Sequence, residues 1–401
     1  MEGDENVEYE PVSVKTVLGE MKDIAELLID LSYSSVLFES PELAEEVLEL
    51  EHEMDVLQLQ AAMSIVMAGR RPEEAEALAP VFGIVAGAEK ISDAAGDIAK
   101  VVLEEVGLPS ALRESLPDAV ETLARATVAP DSPYADRTLG GINLATETGV
   151  RVIAMRRDDD HILNPARDTR IRAGDVLFCR GPVDGIERVY ETATGEAFDP
   201  PAAEPSAIDD LERAVETVVL MKNMSELAVD LAYGSVLFDS PELAEEVREL
   251  EVEVDALQSR FEAWALRAAA SVDDPVTLRG LLHIAAATEV ISDAALEISE
   301  GVLRGVGSHP VVAAAVQESD EIIVRATVGP DANLAGTTIG EAEVETRTGM
   351  RIVAIRHESA GADERTRYVV SPPPETAIRP GDVLVAKGTR SGADRLADWT
   401  D

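Results

Sequence analysis

The chain is written twice. Residues 31–58 (LSYSSVLFESPELAEEVLELEHEMDVLQ) and 231–258 (LAYGSVLFDSPELAEEVRELEVEVDALQ) agree at 21 of 28 positions, at an offset of 200. The same offset aligns residues 88–95 (AEKISDAA) with 288–295 (TEVISDAA), and 126–131 (ATVAPD) with 326–331 (ATVGPD). Related halves tend to pair through the same surface, so the repeat predicts an internal pseudo-twofold axis. It also serves as an internal alignment. A residue kept in both halves has a stronger claim to a role than one found in a single half.

Acidic residues outnumber basic ones 78 to 34, giving a formal charge of −44, and only Lys15, Lys22, Lys90, Lys100, Lys222 and Lys387 are lysines. Self-repulsion at that charge is screened once the Debye length falls to about 3 Å near molar salt. An acidic, lysine-poor composition spread evenly over patterned segments resembles that of proteins from a salt-in halophile's cytoplasm. The charge argues against direct nucleic-acid binding, because phosphates need basic patches. The single cysteine, Cys179, corresponds to Ala386, so neither a disulfide framework nor a thiol nucleophile is expected. No run approaches the roughly 20 apolar residues of a membrane span, and MEGDENVEYE is no signal peptide. The expectation is a cytoplasmic protein that does not insert into a membrane and reaches one peripherally, through a transporter partner.

Each half divides again. From Ser13 to Arg113 apolar residues recur at helical spacing (Val17, Met21, Ile24, Leu28, Leu31). Ser40-Pro41 reads as an N-cap followed by proline at the first helical position, opening a helix that stops at Gly69. A third helix spans roughly Glu73 to Val106 and ends at Gly107, so the unit is an up-down-up three-helix bundle. Beyond Val120 the period changes. Thr138–Asn143 reads as a short helix and Val150–Arg156 as a strand, with Val150, Val152, Ala154 and Arg156 on one face. Ile162-Leu163 and Asp175–Arg180 read as further strands and Val183–Thr192 as a closing helix. The fold class is therefore α+β and multidomain, with internal duplication. The expected division is an acidic tail (1–12), a helical bundle (13–114), a small α+β module (118–195), a linker (196–207), a second bundle (208–314) and a second module (318–401). The second module is seven residues longer, the insertion falling around Ser359–Arg365, since Gly174 pairs with Gly381.

The α+β modules resemble the TrkA-C family, also called the RCK C-terminal domain, of potassium-transport regulators. The resemblance lies in residues 138–143 (TLGGIN), 149–157 (GVRVIAMRR), Asn164-Pro165 and 172–178 (RAGDVLF). The copies are 338–343 (TIGEAE), 349–356 (GMRIVAIR), Ser371-Pro372 and 379–385 (RPGDVLV). The helical units resemble single three-helix repeats of the PhoU family, through residues 89–99 (EKISDAAGDIA) and 49–57 (ELEHEMDVL). One departure is that the histidine usual after the aspartate is Ala94, and Ala294 in the copy. Alternating PhoU and TrkA-C units resemble haloarchaeal proteins linked with cation channels and transporters.

Two sets of candidate residues follow. Glu51 and Asp55 share one helix face, as do Glu89, Asp93 and Asp97; Glu251, Asp255, Glu289, Asp293 and Glu297 are their copies. Antiparallel helices can converge such carboxylates on a divalent metal ion. Asp30 and Asp230, each within an apolar stretch, either complete that shell, pair with a bundle arginine or face solvent. The resemblance to TrkA-C implies a second site, a cleft between paired modules that takes cyclic di-AMP or another small regulatory ligand. It aligns with Leu139, Asn143, Ala145, Arg151, Val152 and Pro165, and with Ile339, Glu343, Glu345, Arg351, Ile352 and Pro372. The family's phosphate-contacting arginine is replaced by Ala145 and Glu345, and Arg151 and Arg351 can serve instead as bidentate phosphate ligands. The differences between the halves favour one shared cleft over two equivalent sites.

No nucleophile elbow, phosphate-cradling glycine loop or Cys/His metal spacing is present, so no enzymatic activity is expected. The expected function is that of a ligand-sensing regulatory subunit of a membrane cation channel or transporter, with potassium the cargo implied by the resemblance. The alternatives are a PhoU-like regulator of phosphate uptake or signalling and a regulator of an MgtE-type magnesium transporter. Assembly into a homodimer stays open.

Overall fold

The computed structural model of the chain describes residues 14–68, 72–112, 122–158, 160–200, 207–304, 321–330, 332–357 and 368–400. The acidic tail, linker residues 201–206 and the insertion around Ser359–Arg365 lie outside the described residues.

Helices α1 (Val14–Phe38), α2 (Pro41–Ala68) and α3 (Pro72–Leu103) form the first bundle. The chain breaks between α1 and α2 because Glu39 takes a left-handed φ of 45° and Ser40 then caps α2, its Oγ accepting from the Leu43 amide at 3.2 Å. The copy behaves identically: Asp239 has φ 49°, and Ser240 accepts from Leu243 at 3.3 Å. Helix α3 ends at Leu103, three residues before the expected Val106. The Val106 amide bonds back to Val101 O at 3.1 Å and Glu105 turns left-handed, which closes the last turn and leaves Val106 outside it.

The first module follows: β1 (Thr122–Thr127), α4 (Leu139–Ile142), α5 (Leu144–Thr148), β2 (Arg151–Arg157), β3 (Asp160–Leu163), β4 (Val176–Gly181) and α6 (Val183–Thr194). The second half repeats the plan. Its bundle is α7 (Asp209–Phe238), α8 (Pro241–Ala269) and α9 (Arg279–Leu303), with a 3₁₀ turn (Pro275–Leu278) leading into α9. Its module is β5 (Glu321–Thr327), α10 (Ile339–Ala342), α11 (Val344–Thr348), β6 (Met350–Arg356), β7 (Tyr368–Val370), β8 (Val383–Thr389) and α12 (Arg390–Thr400). Each sheet is antiparallel, in the order β1-β4-β2-β3 and β5-β8-β6-β7. Strand β1 was not expected from sequence. Its residues (TLARAT) carry little β-branched bulk, and its pairing with β4 spans some fifty residues.

The strict alternation expected along β2 is corrected by a bulge between Val152 and Ala154. Val150, Val152 and Met155 face the module's own small helices, whereas Ile153 and Ala154 join the core of the helical bundles. Arg156 points the same way as Ala154, toward α2. The second module has the same bulge between Ile352 and Ala354. One face of each sheet therefore packs on helices: Leu123, Ala154, Val176 and Phe178 in the first, Ile323, Ala354, Tyr368 and Val385 in the second.

The two bundles share that core and meet along α3 and α9. A Cβ on Gly83 would sit 3.0 Å from Glu297 O, and one on Gly87 would lie 2.4 Å from Ile298 Cγ1 and 2.9 Å from Ala294 O. Those glycines let the helices approach backbone to side chain. Paired cross-contacts express the pseudo-twofold: Lys22 lies over the Tyr233 ring and Lys222 over the Tyr33 ring. Among the described residues no helix is long and apolar enough to cross a membrane.

Gly87→Val should separate α3 from α9 and lower the stability by about 1–3 kcal/mol, the usual range for overpacking. Gly19, with nothing within 4 Å of an added Cβ, is the control. Gly19→Ala should be neutral or raise stability by roughly 0.5–1 kcal/mol. Urea unfolding of the three proteins in molar potassium chloride checks the contrast.

Candidate functional site

Helix α1 buries its apolar positions at helical spacing, and this sets Glu26 and Asp30 on a stripe that points toward the sheets; α7 does the same with Glu226 and Asp230. The central strands of the two sheets supply the opposing wall. Arg151 comes from β2, Arg180 from β4, Arg351 from β6 and Lys387 from β8. These eight residues, with Asn223 and Ser371, line one cavity against α1 and α7. The charged lining is symmetric about the pseudo-twofold, since Arg180 and Lys387 occupy matching places once the insertion is allowed for.

Asp30 Oδ2 accepts from Arg180 Nη1 at 3.1 Å. Its partner is thus an arginine of the module, not of the bundle, and 150 residues away in the chain. Burial pushes the Asp30 carboxyl up to about 6, and Arg180 opposes the rise. Asp230 is likewise pushed up to about 6, by burial and then by Glu26, against Lys387 and Lys22. The two outer acids are neutralised locally, Glu26 by Lys22 at 2.6 Å and Glu226 by Lys222 at 2.5 Å.

The residues aligned with the family's cleft divide between two environments. Arg151 and Arg351 line the cavity. Leu139 and Val152, and Ile339 and Ile352, pack instead into the modules' own cores on the far face of each sheet. Asn143 and Glu343 are exposed and take left-handed φ values of 51° and 47° between two short helices, where Glu343 also pairs with Arg347. Glu345 is exposed, Pro165 and Pro372 are half-buried, and the Ala145 side chain lies outside the described residues. The expected cleft residues are therefore not brought together as one set, because strand alternation sends Arg151 and Val152 to opposite faces.

The carboxylate sets are drawn together unequally. In the second bundle, oxygens of Glu251, Asp255 and Asp293 lie within 4.8 Å of one another. Burial and mutual repulsion raise the carboxyls of Glu251, Glu289 and Asp293, as expected of acids gathered without enough cations. Such an oxygen set fits a hard divalent cation. Glu297 is turned away and pairs with Lys90 of α3 at 2.5 Å. In the first bundle burial raises Glu51, Glu89 and Asp93, and Asp55 repels all three. There Lys100 intrudes, 3.7 Å from Glu51 and 3.3 Å from Asp97. The copy of Lys100 is Glu300, and the cation that acts on the second cluster is instead Lys90 of α3, which opposes the rise of Asp293.

Sequence reasoning missed a pair of buried ionic joints. Glu46 of α2 accepts from Arg156 Nε at 2.9 Å and Arg125 Nε at 3.2 Å, with His161 Nε2 at 3.4 Å. Glu246 of α8 accepts from Arg356 at 2.6 Å, Arg325 at 3.1 Å and the Tyr368 hydroxyl at 2.6 Å. The signal was available: Glu46, Arg125 and Arg156 are all kept at the 200-residue offset. Burial works against ionising Glu46, but bonds from His161 and Arg156 outweigh it and hold the carboxyl down to about 2. His161 is raised to about 9 in turn, burial being overcome by its bonds to Glu46 and Glu53.

Two predictions follow from these joints. Glu46→Ala strips Arg125 and Arg156 of a buried partner and should cost about 3–5 kcal/mol in unfolding free energy. The pH dependence has a definite sign. A histidine whose folded value lies above its ordinary 6.5 contributes stability fully below pH 6.5, and that contribution is lost as the pH rises through about 9. The melting temperature should therefore fall between pH 6.5 and 9 in the native chain. In His161→Tyr, which copies the second half's solution, the fall should be smaller.

Comparison with known proteins gives the domain content. A family model described as the TrkA-C domain matches residues 123–194 and 323–401, and one described as the PhoU domain matches residues 18–102 and 218–302. Among solved structures, PhoU from Pseudomonas aeruginosa is 13% identical, with 73% of this chain and 96% of that one covered and a TM-score of 0.41. The GsuK RCK domain is 17% identical, covering 69% of this chain and 62% of that one, with a TM-score of 0.18. The GsuK channel is 16% identical, covering 70% of this chain and 53% of that one, with a TM-score of 0.19. No curated protein matches the chain.

Proposed function

The chain carries two PhoU domains and two TrkA-C domains in alternation, and we propose that it is the ligand-sensing regulatory subunit of a membrane cation channel or transporter, with potassium as the cargo. The observation that carries this reading is the convergence of Arg151 and Arg351, one from each TrkA-C domain, on a single cavity walled by α1 and α7 of the two PhoU bundles. A small regulatory ligand held there touches both modules and both bundles. Its binding would bias the orientation of the sheets against the helices, and the bundles would pass that bias to a membrane partner. The partner acts from the membrane; the regulator itself associates peripherally from the cytoplasm.

The reading is of a binding protein. The Cys179 thiol is buried and pushed up to about 12, and His161 and His357 are both committed to carboxylates. A PhoU-type role in phosphate uptake or signalling is the second reading. The pair of PhoU matches and the Glu251–Asp255–Asp293 cluster, whose oxygens suit a divalent cation, favour it.

Calorimetry with cyclic di-AMP in molar potassium chloride tests the first reading. The expected result is saturable binding near one ligand per chain; no heat with cyclic di-AMP would count against it. Elemental analysis of the purified protein tests the metal. One divalent ion per chain is expected, lost on Asp293→Asn; none bound, with melting unchanged by added divalents, would leave the carboxylates as solvated acids.

A further inference from the structure

Within a chain of charge −44, the central cavity is a place where cations gather: four of them line it against four carboxylates. Six cations (Lys22, Arg151, Arg180, Lys222, Arg351, Lys387) surround five carboxylates (Asp23, Glu26, Asp30, Glu226, Asp230) in and beside it. Those five acids are already answered. Arg180 bonds Asp30, Lys22 pairs with Asp23 and Glu26, Lys222 pairs with Glu226, and Lys387 draws Asp230 electrostatically. Arg151 and Arg351 are left over. Among the described residues neither guanidinium has an ion-pair or hydrogen-bond partner, although carboxylates outnumber cations more than twofold over the whole chain.

A third group in the wall points to a ligand. The Asn223 side-chain Oδ1 is buried and has no hydrogen-bond partner, and Asn223 lines the same cavity. A buried amide oxygen without a partner carries a desolvation cost. Turned through 180°, the same amide presents its NH₂ to an acceptor at that place.

We infer that the cavity binds a phosphoryl dianion, held between the guanidinium forks of Arg151 and Arg351 with the Asn223 amide as a further donor. This rests on the ligand-sensing reading and gives the ligand a free-phosphate or phosphomonoester group; the phosphodiesters of cyclic di-AMP, each with one charge and two free oxygens, do not meet it, so the two ligands are separate tests. Two guanidiniums, each able to give parallel N–H bonds, match two negative charges on a tetrahedral group with at least three free oxygens. A chloride ion accepts no such fork, and a monocarboxylate has too few oxygens to meet both arginines and the amide. Because the forks come from β2 and β6, the dianion ties one module to the other across the pseudo-twofold. The eight charged lining residues lie on α1, α7 and the four central strands, so a change in spacing between the sheets is felt directly at Asp30 and Asp230.

The test uses the full chain in molar potassium chloride at pH 7.5, with inorganic phosphate and with AMP as a phosphomonoester. Both arginines are exposed and unpaired, so Arg151→Ala and Arg351→Ala should melt like the native chain, which is checked first. Phosphate should raise the melting temperature and give saturable heat. Each substitution should weaken binding at least tenfold, Arg151→Lys should recover part of it, and Arg188→Ala on α6 should change nothing. Tighter binding of AMP than of phosphate would place the phosphoryl group on a nucleotide; equal or weaker binding would make free phosphate the ligand. Absence of phosphate and AMP binding at millimolar concentration would overturn the inference, as would binding that survives both arginine substitutions. Silence with phosphate and AMP, together with cyclic di-AMP binding that persists in both variants, sinks this site while leaving the regulatory reading intact. Arginine-dependent phosphate binding upholds the site even where cyclic di-AMP gives no heat.

Discussion

A carboxylate buried where two domains meet is tolerable only while its cations stay in place, and this chain makes that arrangement twice. Glu46 and Glu246 are almost wholly buried, each gripped by two arginines from a sheet. Breaking such a pair strands a charge in a poor solvent, so bundle and module are fixed in register more firmly than apolar packing alone would fix them. Apolar contacts spread over Ala154, Val176, Phe178 and their copies tolerate sliding; a bidentate arginine does not. The bulges in β2 and β6 belong to the same design. Without the extra residue, Arg156 and Arg356 would point toward the small helices instead of α2 and α8.

With each sheet pinned to its bundle, and the bundles joined along α3 and α9, the four domains all contribute to the walls of the central cavity. The halves solve equivalent problems with different chemistry. Arg180 and Lys387 face the two buried aspartates, and His161 and Tyr368 each contact the buried glutamate. Arg157 and His357 each donate to a buried aspartate, Asp175 or Asp382, whose other oxygen accepts a backbone amide across the turn. The pattern of contacts is therefore retained more faithfully than the residues that make it. The carboxylate clusters of the two bundles show the opposite trend, because Lys100 in one half is Glu300 in the other and the two clusters no longer have the same charge.

The helices were legible because their signals are local. Ser40-Pro41 specifies a cap and a start within two residues, and the apolar spacing of Val17, Met21, Ile24 and Leu28 is complete within α1. The strands around the turn at Arg172–Asp175 were legible for the same reason. Strand β1 was not, since nothing within TLARAT demands extension until β4 is beside it. The bulge at Ile153 was equally hidden: it is decided by where the sheet must switch from covering its own helices to covering α2. Arg151 was singled out as a phosphate ligand by alignment with the family, but the neighbours aligned with it (Leu139, Asn143, Val152) went with the other face. Asp30 had three open readings in sequence, and the partner it took was in none of them: Arg180 of the module lies 150 residues away.

The sequence alone determined the duplication, the alternation of helical and mixed units, the aliphatic cores and the large acidic excess. These follow from composition and short-range periodicity, which are written residue by residue. Only the tertiary structure decided which charges meet: Glu46 with Arg125 and Arg156, Asp30 with Arg180, and Arg151 with Arg351 across one cavity. In a chain with 78 acids the number of conceivable ion pairs is far too large for spacing to choose among them. Burial chooses, because an unpaired charge is expensive only where water has been removed, and where water is removed is a property of the packed molecule.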